Sequence, residues 1–171
     1  MTNLRFPTSL HIESHWTAAA VAGVVAGSLA TAVQMLLWWL NATPVLETLL
    51  RDARLTAAII MGSAALTSVP AGRWDVLLIA TLIHFFLSVI YAAIAMLFVG
   101  RLSALLTILS GAAYGLAIYG VNLHGFTAIF PWFSVSRGWA TALVHVVFGI
   151  TLAWACRSLG PADADRRSGH P

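Results

Sequence analysis

Four stretches of this chain, Trp16–Leu40, Val76–Val99, Leu102–Val121 and Gly138–Cys156, run apolar with almost no charge. Each is close to the roughly 20 residues that a helix needs to cross a hydrocarbon core of about 30 Å. They predict four membrane-spanning helices and an all-α integral membrane four-helix bundle. Leu55–Val69, LTAAIIMGSAALTSV, is shorter, rich in Gly, Ser and Thr, and followed by Pro70. It predicts an additional short re-entrant or interfacial helix, with a fifth span as the alternative. The polar stretch NATPVLETLLRDAR (41–54) sets Glu47 and Arg51 at i,i+4 spacing, which predicts a short amphipathic helix along the outer surface.

The flanks complete the organisation. Residues 1–15 form an N-terminal interfacial lead-in, 16–157 the transmembrane domain, and 158–171 a breaker-rich, disordered cytoplasmic tail. The first apolar segment is too long for a signal-peptide core and should stay as an anchor. His11 and His15 make an HxxxH pair in the lead-in, which reads as surface placement.

Composition agrees with a membrane protein: 60% of the residues are hydrophobic, 9% are charged, and mean hydropathy is +0.87. All nine basic residues are Arg, scattered through loops and tails, which excludes the basic stripe of a nucleic-acid binder. The single Cys156 excludes an internal disulfide and a cysteine metal cage. Arginine bias orients the chain. With four spans and the N-terminus inside, Arg5, Arg101, Arg157, Arg166 and Arg167 are cytoplasmic, against Arg51, Arg54, Arg73 and Arg137 outside. A five-span arrangement with the N-terminus outside scores six to three. Both put the C-terminus in the cytoplasm and the 122–137 loop outside.

Helix packing in lipid depends on small residues that admit close approach and on polar groups that bond across. Ala19, Gly23, Gly27, Thr31 and Gln34 line one stripe of the first span, and Thr81, His84, Ser88, Tyr91 and Ala95 one face of the second. Gly111 and Gly115 make a GxxxG that leads to Tyr119 and Asn122, while Gly138, Ala142, His145, Gly149 and Ala153 align on the fourth. At 1.5 Å of rise per residue, His84 and His145 each lie about 10–12 Å below the outer helix ends. The four seams therefore predict a polar cluster of Gln34, His84, Ser88, Tyr119, Asn122 and His145 in the outer third of the bundle. The aromatic loop NLHGFTAIFPWFSVSR (122–137) is placed to cover it.

Intramembrane histidines are candidates for function, because titratable groups there are expensive. They admit four readings: neutral hydrogen-bonded groups that stabilise the bundle, a proton, ion or small-solute path, a haem b, or a metal site. The haem would have His84 and His145 as its two axial ligands, with Gly115 and Gly149 making room for the macrocycle. The metal site would recruit His124 as a third ligand. HExxH, GxSxG and phosphate-loop motifs are absent, and no span carries a carboxylate pair, so the expectation is a protein that is not an enzyme.

The runs TAAIIMG (56–62), HFFLSVIYA (84–92), NLHGFTAIFPWF (122–133) and HVVFG (145–149) resemble a family of small bacterial inner-membrane proteins without an assigned activity, some labelled sodium:proline symporters. The resemblance covers most of residues 17–157, and the FPWF run is its most specific part. The symporter label does not suit a chain this short without a paired inverted repeat. This chain departs from the family at His124, where members more often have Tyr, and at Ala92, where they more often have Gly. The resemblance implies a bacterial inner-membrane location. Size and GxxxG seams add the expectation of an accessory subunit that packs with itself or a larger membrane complex. A small transporter or channel using the His cluster, and a haem-b electron carrier, are the alternatives.

Overall fold

The computed structural model describes residues 9–67, 73–100 and 102–159, with side chains from His15 onward. Among these residues five α-helices follow one another: α1 (Ser9–Leu40), α2 (Val45–Met61), α3 (Trp74–Val99), α4 (Ala104–Gly120) and α5 (Trp139–Leu159). Among the described residues every regular element is helical, and α1, α3, α4 with its extension, and α5 are long and apolar enough to cross a membrane. The chain is thus an all-α four-helix bundle with α2 as an additional helix beside it. The end of the expected re-entrant segment, the C-terminal tail beyond Leu159, and Arg5, Arg101, Arg166 and Arg167 lie outside the described residues.

Local chemistry fixes the helix ends. Asn41 Nδ2 donates to the Leu37 carbonyl at 2.7 Å, closing α1. Ala42 then turns the chain at φ 52° and Pro44 sets the start of α2. At the far end of α2, Gly62 takes φ 75°, a left-handed value that glycine adopts without a Cβ penalty. Ser103 caps α4 by accepting from the Leu106 N–H at 3.4 Å.

Two sequence boundaries change. The charged stretch 41–54 and the apolar stretch from Leu55 form one continuous helix, α2, rather than a surface helix followed by a re-entrant one. The physical reason is that a switch from charged to apolar residues does not stop a helix; Gly62 does. The first span also reaches back to Ser9, through the last residues of the expected lead-in, with His15 exposed.

Helix α5 sits centrally and packs against α1, α3 and α4, while α2 lies along the start of α3. The core is built from small residues: Ala19, Ala22, Ala26 and Ala30 of α1 meet Ala92 and Ala95 of α3 and Leu152, Ala153 and Cys156 of α5. Both GxxxG seams are used inside the chain. A Cβ on Gly23 would stand 2.8 Å from the Ser88 carbonyl carbon of α3, and one on Gly27 would stand 3.0 Å from His84 Nε2. A Cβ on Gly115 would lie 2.0 Å from the His145 carbonyl oxygen, and one on Gly149 would lie 2.2 Å from that of Gly111. Backbone touches backbone there, the close approach that small residues exist to permit in lipid.

The outside of the bundle is apolar. Exposed Trp39, Trp74 and Trp139 mark one end and Trp16 and Trp154 the other, the arrangement of interfacial aromatic belts. Trp16 and Trp39 are separated by about 34 Å of helix, close to one bilayer core. Arg157 places its guanidinium 5.6 Å from the centre of the Trp154 ring, an interfacial cation–π pair.

Candidate functional site: a cavity beneath the aromatic loop

The seams bring most of the expected polar residues toward one end of the bundle, where α2 and the aromatic loop also lie. His84 of α3 directs Nε2 at α1, 3.4 Å from the Gly27 carbonyl oxygen and 3.5 Å from Thr31 Oγ1. Ser88 Oγ donates one turn back to the His84 carbonyl at 2.8 Å. On α5, His145 Nδ1 lies 2.8 Å from the Thr141 carbonyl oxygen, also one turn back. A carbonyl only accepts, so this nitrogen carries the proton and the neutral ring keeps Nε2 as an acceptor. By the same logic the proton of His84 sits on Nε2 and leaves Nδ1 as the acceptor.

The connection after α4 holds the rest. The helix does not end at Asn122 but widens into a π turn, Val121–Gly125, in which the Phe126 N–H reaches the Val121 carbonyl five residues back. Asn122 thereby meets α3, and its Oδ1 accepts from Tyr91 OH at 2.7 Å. Tyr114 OH donates to the Tyr91 carbonyl at 3.1 Å, and Cys156 Sγ to that of Ala92 at 3.6 Å. Three helices are thus tied at one level of α3. Tyr119 stands edge-on between His124 and His145, with ring centroids 5.5 Å away on each side, and its hydroxyl accepts from the Gly138 N–H at 3.3 Å.

Between α2, α3, α5 and the loop lies a cavity of about 510 Å³, within the range of small-molecule sites. Its walls are mainly Ile, Leu, Val and Phe, with Phe126, Phe130 and Phe133 contributed by the loop. Of the expected cluster, His84, Ser88, Asn122 and His145 line it; Gln34 and Tyr119 do not. Gln34 is half-buried on α1, beyond the Gly27–Thr31 contact with α3, and makes no hydrogen bond among the described residues. Tyr119 is a wall behind His145 rather than a lining group.

Sequence reasoning missed Asp52, Thr141 and Ser136 as lining residues, and placed Tyr91 on the inward face of its span without adding it to the cluster. The signal for Asp52 was present. Thr48, Asp52, Leu55 and Ile59 recur at helical spacing on one face of α2, and Thr48 and Leu55 are buried. Burial pushes the Asp52 carboxyl above the usual carboxylate range, and Arg51, 2.8 Å away, partly offsets this. Ser136 Oγ lies beside that carboxyl without hydrogen-bonding geometry, the one fully buried side-chain polar atom lacking a partner among the described residues. The loop is pinned over the cavity by Trp132 Nε1, which donates to the Leu55 carbonyl at 3.0 Å. Arg137 ties the loop to itself, donating from Nε to the Leu123 carbonyl and from Nη2 to Thr127 Oγ1, both at 2.7 Å.

The cofactor readings meet this geometry directly. Gly115 and Gly149 offer no room for a macrocycle, because opposing backbone fills the space their missing side chains leave, and His84 Nε2 is turned to α1. The residues do not fit a haem held by His84 and His145. His84, His124 and His145 do not converge on a metal either: no group of three or more His, Cys, Asp or Glu comes together among the described residues, and the Tyr119 ring separates His124 from His145. Comparison of the chain with protein-family profiles, with curated proteins and with solved structures gives no match.

Proposed function

We propose that this chain is a small non-enzymatic protein of the bacterial inner membrane that binds a lipid-soluble molecule in the cavity beneath the aromatic loop, as a carrier or the ligand-holding subunit of a transport system. The observation that carries the reading is where the cavity opens. Ile60 and Phe86 both line it, yet are 70% and 66% exposed, so its mouth lies between α2 and α3 on a surface that faces acyl chains in a bilayer. A molecule dissolved in the membrane enters sideways without crossing water. Apolar walls with a few convergent polar groups are the composition of a small-molecule site. The arginine majority on the side of Arg157 supports a cytoplasmic C-terminus, and with it a cavity in the outer half.

Both GxxxG pairs are used within the chain, so these seams are not left over for a partner helix. The lipid-facing surface carries bulky Leu, Phe and Trp instead, which suits acyl chains better than a closely approaching helix. Native mass spectrometry of the protein released from membranes tests the proposal. The expected result is a reproducible apolar adduct that is lost in Ile59→Trp, which fills the cavity from α2. Absence of any adduct, together with failure of the purified protein to take up added lipid-soluble compounds, would contradict it.

A further inference from the structure

The hydrogen-bond inventory of the cavity selects among lipid-soluble ligands. His145 Nδ1 is committed to the Thr141 carbonyl at 2.8 Å, so its Nε2 presents a lone pair. Tyr91 OH occupies Asn122 Oδ1 at 2.7 Å, so the Asn122 amide presents N–H groups. Both residues line the cavity. Neither leftover group has a protein partner among the described residues, and neither is sealed off, because Ser136 Oγ is the sole fully buried polar side-chain atom without one. The site therefore offers an acceptor from α5 and a donor from the π turn inside apolar walls. A hydroxyl is the compact neutral group that answers both, donating to an imidazole nitrogen and accepting from an amide. An ether or a ketone only accepts, and would leave the imidazole unpartnered. A cation is disfavoured, because the one carboxylate on the walls is Asp52, on α2 and already paired with Arg51.

We infer that the ligand is a lipid-soluble alcohol or phenol whose hydroxyl donates to His145 Nε2, an inference that rests on the binding role proposed above. His84 is the second acceptor of the site: its Nδ1 is left free by the contact of Nε2 with Gly27 and Thr31. The π turn has a purpose in this account, since it carries Asn122 to Tyr91 and fixes which end of its amide remains free.

A matched pair of compounds tests this: para-octylphenol and its O-methyl ether, which share an apolar body, titrated against the full chain in lipid nanodiscs. The phenol should bind about fivefold to tenfold more tightly than the ether, the discrimination expected of one neutral hydrogen bond. In His145→Phe the preference should fall to about onefold with the ether's affinity unchanged. In His145→Gln, whose amide oxygen still accepts, part of it should return. Isotope-edited NMR of the histidines in the wild-type protein gives a readout independent of any variant: the phenol, and not the ether, should shift the unprotonated nitrogen of His145. Equal binding of both compounds, or a preference that survives in His145→Phe, overturns the hydroxyl inference and leaves the binding role standing. Failure of both compounds to bind overturns both.

Discussion

At the scale of single residues, glycine placement decides whether the bundle closes. Gly115 and Gly120 share α4, yet a Cβ at the first would collide with the His145 carbonyl at 2.0 Å and at the second would meet nothing within 4 Å. Gly115→Ala is therefore expected to push α4 from α5 and cost about 1–3 kcal/mol. Gly120→Ala, in helical conformation at the end of α4, should be neutral or stabilise by up to ~1 kcal/mol. Thermal unfolding of the two variants in one detergent checks the pair, and equal losses would contradict the backbone contact. This seam was legible in the sequence because GxxxG spacing is a direct record of close approach. The same glycines also looked like room for a macrocycle. Sequence cannot say which of two partners fills a vacated volume, and here it is the carbonyls of His145 and Gly111.

Element by element, α2 is where sequence and structure part. Its charged half and its apolar half invite a boundary at Leu55, but backbone geometry sets the boundary at Gly62. Once the helix is continuous, its face of Thr48, Asp52 and Leu55 turns inward and Asp52 joins the cavity wall. The raised pKa of this carboxyl has a definite sign. A carboxyl that holds its proton more tightly when folded favours the fold most in acid, and that contribution is lost as pH rises from about 3.9 through the folded value. Asp52→Asn removes the desolvation cost of a partly buried anion and sacrifices only a partly exposed ion pair with Arg51, of a kind that contributes little. The variant should melt higher than wild type at neutral pH, with the difference vanishing below about pH 4. A lower melting temperature at neutral pH would mean that Asp52 is stabilised as an anion.

Across the whole molecule, the four spans were legible because uninterrupted apolar length is the strongest signal a membrane sequence carries. Seam spacing and helix direction predicted that His84, Ser88, Asn122 and His145 meet toward one end, but carried nothing about the order of the helices around α5. Gln34 shows the limit of that reasoning: a stripe predicts a face but not which of its residues reach a cavity, and Gln34 stays half-buried on α1 outside this one. The cavity itself was not legible, since it is formed by what α2 and the loop leave uncovered and by the Trp132–Leu55 bond that holds them together. That bond joins the second half of α2 to the 121–138 connection, which keeps both on the same side of the bundle, as four spans require.

The central claim is that a lipid-soluble molecule occupies this cavity in the membrane. The most direct measurement is photocrosslinking in intact membranes with a long-chain alcohol that carries a diazirine at its tail, followed by peptide mapping of the adducts. Labels are expected on Ile83, Phe130 and Phe148, which line the cavity, competed away by excess unmodified alcohol. Labels confined to lipid-facing positions such as Leu97 and Leu105, unaffected by competitor, would contradict the claim.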